Sequence, residues 1–385
     1  MRLCYIANPN SIHVRRWVRH FVGRGHEVHL ISTRPGEAPI PAGIFLHSIA
    51  APPVPRLRNL ALGFAIRREV RRVQPDLVHA HQISPDGWLA AMAGYHPLLL
   101  TAWGSDLLLA PRKALRYHLL IRWALRQADY VTCVSESLAQ VARSLGADPA
   151  RLEVAPWGVD TGVFHPGPPN PELRRQLDLG PGPVVLSIRA LRPLYNPLVI
   201  AQAIPLVLQK VPEAQFVIRS HLYEPDLLAR FQAILQESGV GDRVRWVGDL
   251  SDDQAIAELY RLAEVAVSVP LSDGMPQSVL EAMACGAPPV VSDVPSLHEW
   301  IEEGREGLFV PVGDSQALSA AIVRLLRDEA LRKRLQAHGL ELVRQRADRM
   351  QWMAYAEAIY ERLVAECPAA RSRSRSLGSD TQVRS

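Results

Sequence analysis

The sequence predicts an α/β chain folded as two domains of similar size, each a parallel sheet covered on both faces by helices. Three observations carry this reading. Strand-like and helix-like segments alternate through residues 1–165. A stretch too rich in proline and glycine for a helix or a central strand follows, Phe164-His165-Pro166-Gly167-Pro168-Pro169-Asn170-Pro171, and reads as a linker. The alternation then starts again, and the 385 residues suffice for two cores of ordinary domain size.

In the first half, residues 2–7 read as a strand whose apolar part is too short for a signal peptide. A helix over 14–24 stops at Gly23 and Gly25, and a strand follows over 27–31. Next come a basic helix over 61–73, strands over 77–80 and 98–101, a helix over 115–127 and a strand over 130–134. The second half reads as strands over 184–187, 214–218, 244–247, 265–269, 289–291 and 307–310, with helices over 199–210, 225–237, 251–261 and 315–327. The expected domains are 1–165 and 166–349, then an amphipathic helix over 350–367. The tail 368–385, with its Arg-Ser repeats, has no apolar residues to bury and reads as disordered.

Composition is that of a soluble globular protein, 48% hydrophobic and 21% charged. Cys4, Cys133, Cys285 and Cys367 are far apart and form no CxxC pair, which argues against a disulfide framework or a zinc site and suits a reducing compartment. No apolar run approaches the roughly 20 residues of a spanning helix. Net charge is +4, but residues 1–165 carry 19 Lys and Arg against 11 Asp and Glu, while 166–367 carry 20 against 27. The basic half suits anionic lipid headgroups, an anionic acceptor or nucleic acid, and equally an arginine-rich solvated surface.

The most informative segment follows the apolar run 265–270: Ser272-Asp273-Gly274-Met275-Pro276-Gln277-Ser278-Val279-Leu280-Glu281-Ala282-Met283-Ala284-Cys285-Gly286-Ala287-Pro288. It places one acid in a glycine-bearing loop, a proline suited to the first helical turn and a second acid inside the helix. Gly274 permits an unusual backbone shape and close approach of a ligand, and free N–H groups at a helix start favour an anion. Glu281, among apolar neighbours, needs a partner. Two acids flanking an anion site match a ligand with phosphates in the middle and hydroxyls at both ends, the layout of a nucleotide-diphospho-sugar. The structural alternative makes Ser272 and Asp273 helix caps and Glu281 a surface residue.

This segment resembles the signature of the retaining glycosyltransferases of family 4, which have the GT-B fold of two Rossmann-like domains facing a central cleft. The family pattern E-x7-E stands here as Asp273-x7-Glu281, followed by Ala282-Met283-Ala284-Cys285-Gly286-Ala287-Pro288-Pro289-Val290-Val291. Similarity continues through Gly304-x-x-Gly307-Leu308-Phe309-Val310, Gly25-His26-Glu27-Val28, Pro75-Asp76-Leu77-Val78-His79-Ala80-His81 and Gly158-Val159-Asp160-x-x-Val163-Phe164, and so runs over most of the chain.

By resemblance, Glu281 binds the donor ribose, while Asp273, with Gly274, Met275 and Pro276, contacts the donor sugar. Gln277 and Ser278 lie at the helix start on the same donor side. Asp273 departs from the family's usual glutamate by one methylene, and the identity of the sugar turns on that difference. After the strand 184–187 the family has an arginine and a lysine clamping the diphosphate. Arg189 matches the arginine; the lysine is missing, with Tyr195 or Asn196 near its place, and Arg192 is the candidate second charge or else a surface residue. Where family members carry a sugar-contacting histidine, this chain has Trp103, suited to stack on a sugar face. Asp106 is a candidate for the acceptor hydroxyl or a loop cap. The family's Gly-Gly turn after the first strand is replaced by Asn8-Pro9-Asn10-Ser11-Ile12-His13, leaving Ser11 and His13 as candidate contacts. His79 and His81 read as core or acceptor-side residues, with no third metal ligand at a recognisable spacing.

The resulting expectation is a retaining glycosyltransferase that moves a sugar from a nucleotide-diphospho-sugar to a glycan, lipid-linked or small-molecule acceptor, in cell-envelope polysaccharide, glycolipid or related glycan synthesis. Asp273 and Arg189 are placed at the reacting sugar and diphosphate. No metal or other cofactor and no nucleic acid is expected; the location is cytoplasmic, with an anionic membrane surface as a partner. The last helix is expected to cross back to the first domain, and domain closure to assemble the site. The alternatives are a GT-B epimerase or hydrolase, or a non-catalytic nucleotide-sugar-binding scaffold.

Overall fold

The computed structural model describes residues 1–37, 40–50, 58–220, 222–248, 250 and 252–367. The tail 368–385 lies outside them. The chain divides into two compact units, Met1–Pro156 joined by the described residues from Met353 onward, and Trp157–Trp352.

The first unit is built on strands β1 (Arg2–Ile6), β2 (Glu27–Ser32), β3 (Ile44–Ser48), β4 (Leu77–His81), β5 (Leu98–Ala102), β6 (Tyr130–Cys133) and β7 (Leu152–Val154), in the sheet order β3-β2-β1-β4-β5-β6-β7. Every pairing is parallel. The central strands β4 and β5 are buried along their whole length, as a sheet covered on both faces requires. The last helix, Arg349–Glu366, supplies Tyr360 to this core. Its hydroxyl meets Tyr5 Oη at 3.3 Å, Trp17 Nε1 at 2.9 Å and His79 Nδ1 at 2.7 Å. About one turn earlier on the same helix, Glu357 pairs with His26 and Arg24.

The second unit holds β8 (Val184–Ser187), β9 (Gln215–Arg219), β10 (Val244–Val247), β11 (Val265–Ser268), β12 (Pro289–Ser292) and β13 (Leu308–Val310), again all parallel, in the order β10-β9-β8-β11-β12-β13. Its core joins these strands to the apolar faces of the helices Pro197–Leu208 and Ser315–Arg327 through Ile204, Val207, Phe216, Val267, Leu318 and Ile322. Helix starts follow side-chain capping: Asp252, Asp314 and Asp328 each accept a backbone N–H from the turn they open.

Two strands escape the sequence reading, β3 and β7. Both are sheet edges, β3 half-exposed and β7 only three residues long. The helices Trp88–Ala93, Glu136–Ser144, Pro171–Gln176 and Glu329–Arg346 were likewise not expected. The proline- and glycine-rich stretch lies inside the second unit rather than between the two. Phe164 is fully buried, its ring 6.4 Å from that of Tyr260. The backbone of Val159 pairs with Ala347 and Arg349, and Asn170 caps a short helix. No helix among the described residues is long and apolar enough to cross a membrane.

Candidate functional site

In each sheet the strand order reverses direction once, between β1 and β4 in the first unit and between β8 and β11 in the second. Open parallel sheets bind ligands outside the carboxyl ends of the strands at such a reversal. Most of the residues singled out above fall at these two places.

In the second unit, Arg189 follows β8 and Asp273 follows its neighbour β11. Arg189 Nη2 lies 3.0 Å from Asp273 Oδ2, with both side chains about nine-tenths buried. Its Nη1 donates to Ser278 Oγ at 3.0 Å, and its guanidinium carbon sits 4.1 Å from the centre of the Tyr195 ring. Tyr195 therefore occupies the face of the arginine, near the place where the family pattern has lysine. Burial works against the charge of Arg189, but Asp273 and then Tyr195 and Tyr260 outweigh it and hold the guanidinium above its ordinary value. Burial pushes the Asp273 carboxyl up, against the pull of Arg189 and the Gly274 and Met275 amides. Asp273 Oδ1 accepts from Gly274 N at 2.9 Å, whereas its buried Oδ2 takes no aligned hydrogen bond among the described residues.

The helix that follows is Gln277–Ala284, so Pro276 stands just ahead of the first turn rather than within it. Its carbonyl accepts from Val279 and Leu280. Gly274 is buried but does not take a positive φ, so the unusual backbone expected of it is not used. Met275 is buried, and its carbonyl accepts from Gln277. Glu281 is 5% exposed, inside the domain rather than on its surface. Gln277 Nε2 lies 3.4 Å from Glu281 Oε1 and donates to the Gly158 carbonyl at 2.9 Å. Gly158 has φ +67°, and a Cβ there would come within 2.7 Å of the Arg349 backbone.

Arg192 does not join this group: it is exposed, and its Nε points to the Leu222 carbonyl at 3.3 Å. Tyr260 does join it and escaped the sequence reading, because Ile256, Leu259 and Tyr260 at helical spacing look like ordinary core. Its hydroxyl is buried without a hydrogen bond among the described residues. Burial, reinforced by the charge of Glu281, holds the phenol well above its ordinary value.

In the first unit, Ser11 precedes the helix Ile12–Gly23 in extended conformation, and its side chain makes no capping bond. His13 stands edge-on to Trp103, ring centres 5.9 Å apart, and Trp103 in turn meets His81 at 5.5 Å. Asp106 takes the loop role. Its carboxylate accepts from Ile83 N at 2.7 Å, Gly104 N at 2.7 Å and Trp103 N at 3.1 Å, fastening the loop after β5 to the turn after β4. His79 is a core residue, bonded to Tyr360 and to Thr101 Oγ1 at 2.6 Å. His81 is buried with neither ring nitrogen hydrogen-bonded among the described residues, and burial pushes its pKa down to about 3. No group of three His, Cys, Asp or Glu side chains among the described residues is disposed to hold a metal ion.

Residues 169–341 match the family model for glycosyl transferases group 1, and residues 2–135 the model for glycosyl transferase 4-like proteins. The chain is similar to a D-inositol 3-phosphate glycosyltransferase of Acidothermus cellulolyticus, 27% identical over 86% of this chain and 81% of the relative. It is 28% identical to that of Actinosynnema mirum, over 86% of each. Among solved structures, the sucrose-phosphate synthase of Thermosynechococcus elongatus superposes with a TM-score of 0.79 at 21% identity, covering 95% of this chain and all of that one. The Anabaena protein Alr3699/HepE, solved in complex with UDP-glucose, does so with a TM-score of 0.80 at 18% identity, over 94% of this chain and all of that one.

Proposed function

The chain belongs to the group 1 glycosyltransferases of the family 4, GT-B type, and from that premise we propose that it is a retaining enzyme whose second unit holds a nucleoside-diphosphate sugar. The observation that carries this reading is the Asp273 carboxylate at the strand reversal. It is paired with Arg189 through an oxygen that takes no aligned hydrogen bond among the described residues. A donor-sugar hydroxyl completes that oxygen. Glu281, one turn along the helix from Gln277, takes the ribose hydroxyls. A guanidinium carries five N–H groups, so Arg189 holds Asp273 and Ser278 and still offers donors to the diphosphate.

As the bond between sugar and diphosphate breaks, the sugar gains oxocarbenium character and negative charge grows on the departing phosphate. Arg189 and the positive end of the dipole of the helix Gln277–Ala284 stabilise that charge where it develops. The acceptor hydroxyl adds on the face the phosphate leaves, and its proton passes to the phosphate oxygen. The names of the relatives make UDP-glucose and D-inositol 3-phosphate the first donor and acceptor to try.

The enzyme's place is at the cytoplasmic face of an anionic membrane. The helix Leu115–Gln127 presents Leu115, Leu119 and Trp123 to solvent, 73%, 56% and 37% exposed, at successive turns of one stripe. Arg112, Lys113, Arg116, Arg122 and Arg126 flank them, with no acid from 110 to 127. Basic residues around exposed apolar ones are the composition of an interfacial helix.

Thermal-shift titration with uridine, guanosine and adenosine diphospho-sugars tests the donor assignment. One nucleotide should raise the melting temperature by several degrees, and Glu281→Ala should abolish the shift; an unchanged shift removes the ribose assignment. Release of free sugar or an epimer without an acceptor would identify a hydrolase or epimerase instead.

A further inference from the structure

The strand reversal of the first unit has a buried acid of its own. The chain leaves β4 through the turn Ile83–Gly87, which carries Asp86, and leaves β2 toward Arg34, so these two residues stand on either side of the strand β1. Asp86 is 3% exposed, yet its Oδ2 accepts no hydrogen bond among the described residues. Its charged neighbours are Arg34, with Nη1 3.9 Å from Oδ2, and Asp106, whose oxygens are taken by the backbone amides of Ile83, Trp103 and Gly104. A buried carboxylate left in this condition costs stability. An acid kept there in spite of that cost is the expected mark of a ligand contact.

The 3.9 Å gap indicates the ligand group. It is too long for a direct hydrogen bond and of the size that one bridging oxygen fills. A hydroxyl is the group that fits, since it donates its proton to Oδ2 while its oxygen accepts from Nη1. A carbonyl cannot donate to the acid, and an ammonium cannot accept from the arginine. Burial, opposed by Arg34 and reinforced by Asp106, holds the Asp86 carboxyl up at about 7. Near neutral pH it can therefore face a hydroxyl in either protonation state.

We propose that Asp86 and Arg34 form a polyol subsite of the first unit, in which one hydroxyl of the acceptor bridges the acid and the guanidinium. The assignment rests on the glycosyltransferase reading for the word acceptor alone; the subsite itself needs only a sugar or cyclitol with free hydroxyls.

The test is saturation-transfer NMR on the full chain with myo-inositol, glucose and D-inositol 3-phosphate, which needs no donor. Wild type should bind at least one of them, and Asp86→Asn and Arg34→Met should each weaken that binding tenfold or more while Arg143→Met leaves it unchanged. Circular dichroism confirms that each variant is folded. No signal from wild type with any of the three, or equal affinities in wild type, Asp86→Asn and Arg34→Met, overturns the proposal. A parallel UDP titration reads the second unit separately. Loss of nucleotide binding with polyol binding intact would sink the glycosyltransferase reading and leave the subsite standing.

Discussion

Arg189 and Asp273 come from loops following two neighbouring strands of one sheet and meet at 3.0 Å, with Ser278 holding the other end of the guanidinium and Tyr195 covering its face. The acid and the base assigned to different parts of the donor are partners of each other, so their contributions to binding and stability are coupled. Arg189→Met strands a mostly buried carboxylate and should lower stability by about 3 kcal/mol. Adding Asp273→Leu should recover most of that loss, while glycosyl transfer stays absent in both. Urea unfolding of the four proteins of this double-mutant cycle gives the coupling directly.

Asp86 makes stability fall as pH rises. Its folded pKa is about 7 and its unfolded value near 3.8. The neutral form's advantage is complete below the unfolded value and is lost as pH rises through the folded one. The difference amounts to about 4 kcal/mol at 1.36 kcal/mol per unit. Asp86→Asn should therefore be more stable than wild type at pH 8 by up to about this amount, and equal to it near pH 4. Denaturant midpoints at the two pH values check both the size and the sign.

Gly158→Ala should cost about 3 kcal/mol. The residue takes φ +67°, and the new methyl would meet backbone atoms of Arg349 rather than a side chain able to swing away. Because the Gly158 carbonyl holds Gln277, nucleotide affinity should fall together with the melting temperature. A variant that melts lower but binds nucleotide as wild type does would separate the loop from the donor site.

Co-sedimentation with vesicles rich in phosphatidylserine or phosphatidylglycerol should capture the protein, and neutral vesicles should not. Raising salt from 0.1 to 0.5 M should release it, because headgroup attraction is screened. Leu119→Glu and Arg116→Glu should each weaken capture several-fold without lowering the melting temperature, since both side chains are exposed. Capture indifferent to lipid charge and salt would remove the membrane assignment.

The sequence was most legible where burial runs unbroken. β4, β5 and β11 are buried along their whole length, and the helices Leu115–Gln127, Pro225–Glu237 and Ser315–Arg327 begin and end where their apolar periodicity does. The edge strands β3 and β7 have one unpaired side and no such run. At the candidate sites, residue types could be read but not partners. Asp106 is legible as an acid in a strand-end loop, but its partner Ile83 lies 23 residues away, and only the fold brings that amide to it. Arg192 is three residues from Arg189, yet the intervening turn sends it to solvent. Asp86 is conspicuous only once burial and the missing hydrogen bond are known, neither of which periodicity encodes.

The hydroxyl of Tyr360 gathers contacts from Tyr5, Trp17 and His79, residues that all precede the second unit in the chain. During synthesis these three side chains emerge long before their partner exists. The second unit is made from one uninterrupted segment and can finish folding while the first still lacks its closing piece. A chain cut after Trp352 would thus hold one half complete and the other open along the strand β1. In this arrangement the codons for residues 353–366 decide whether those for 1–156 yield a native fold.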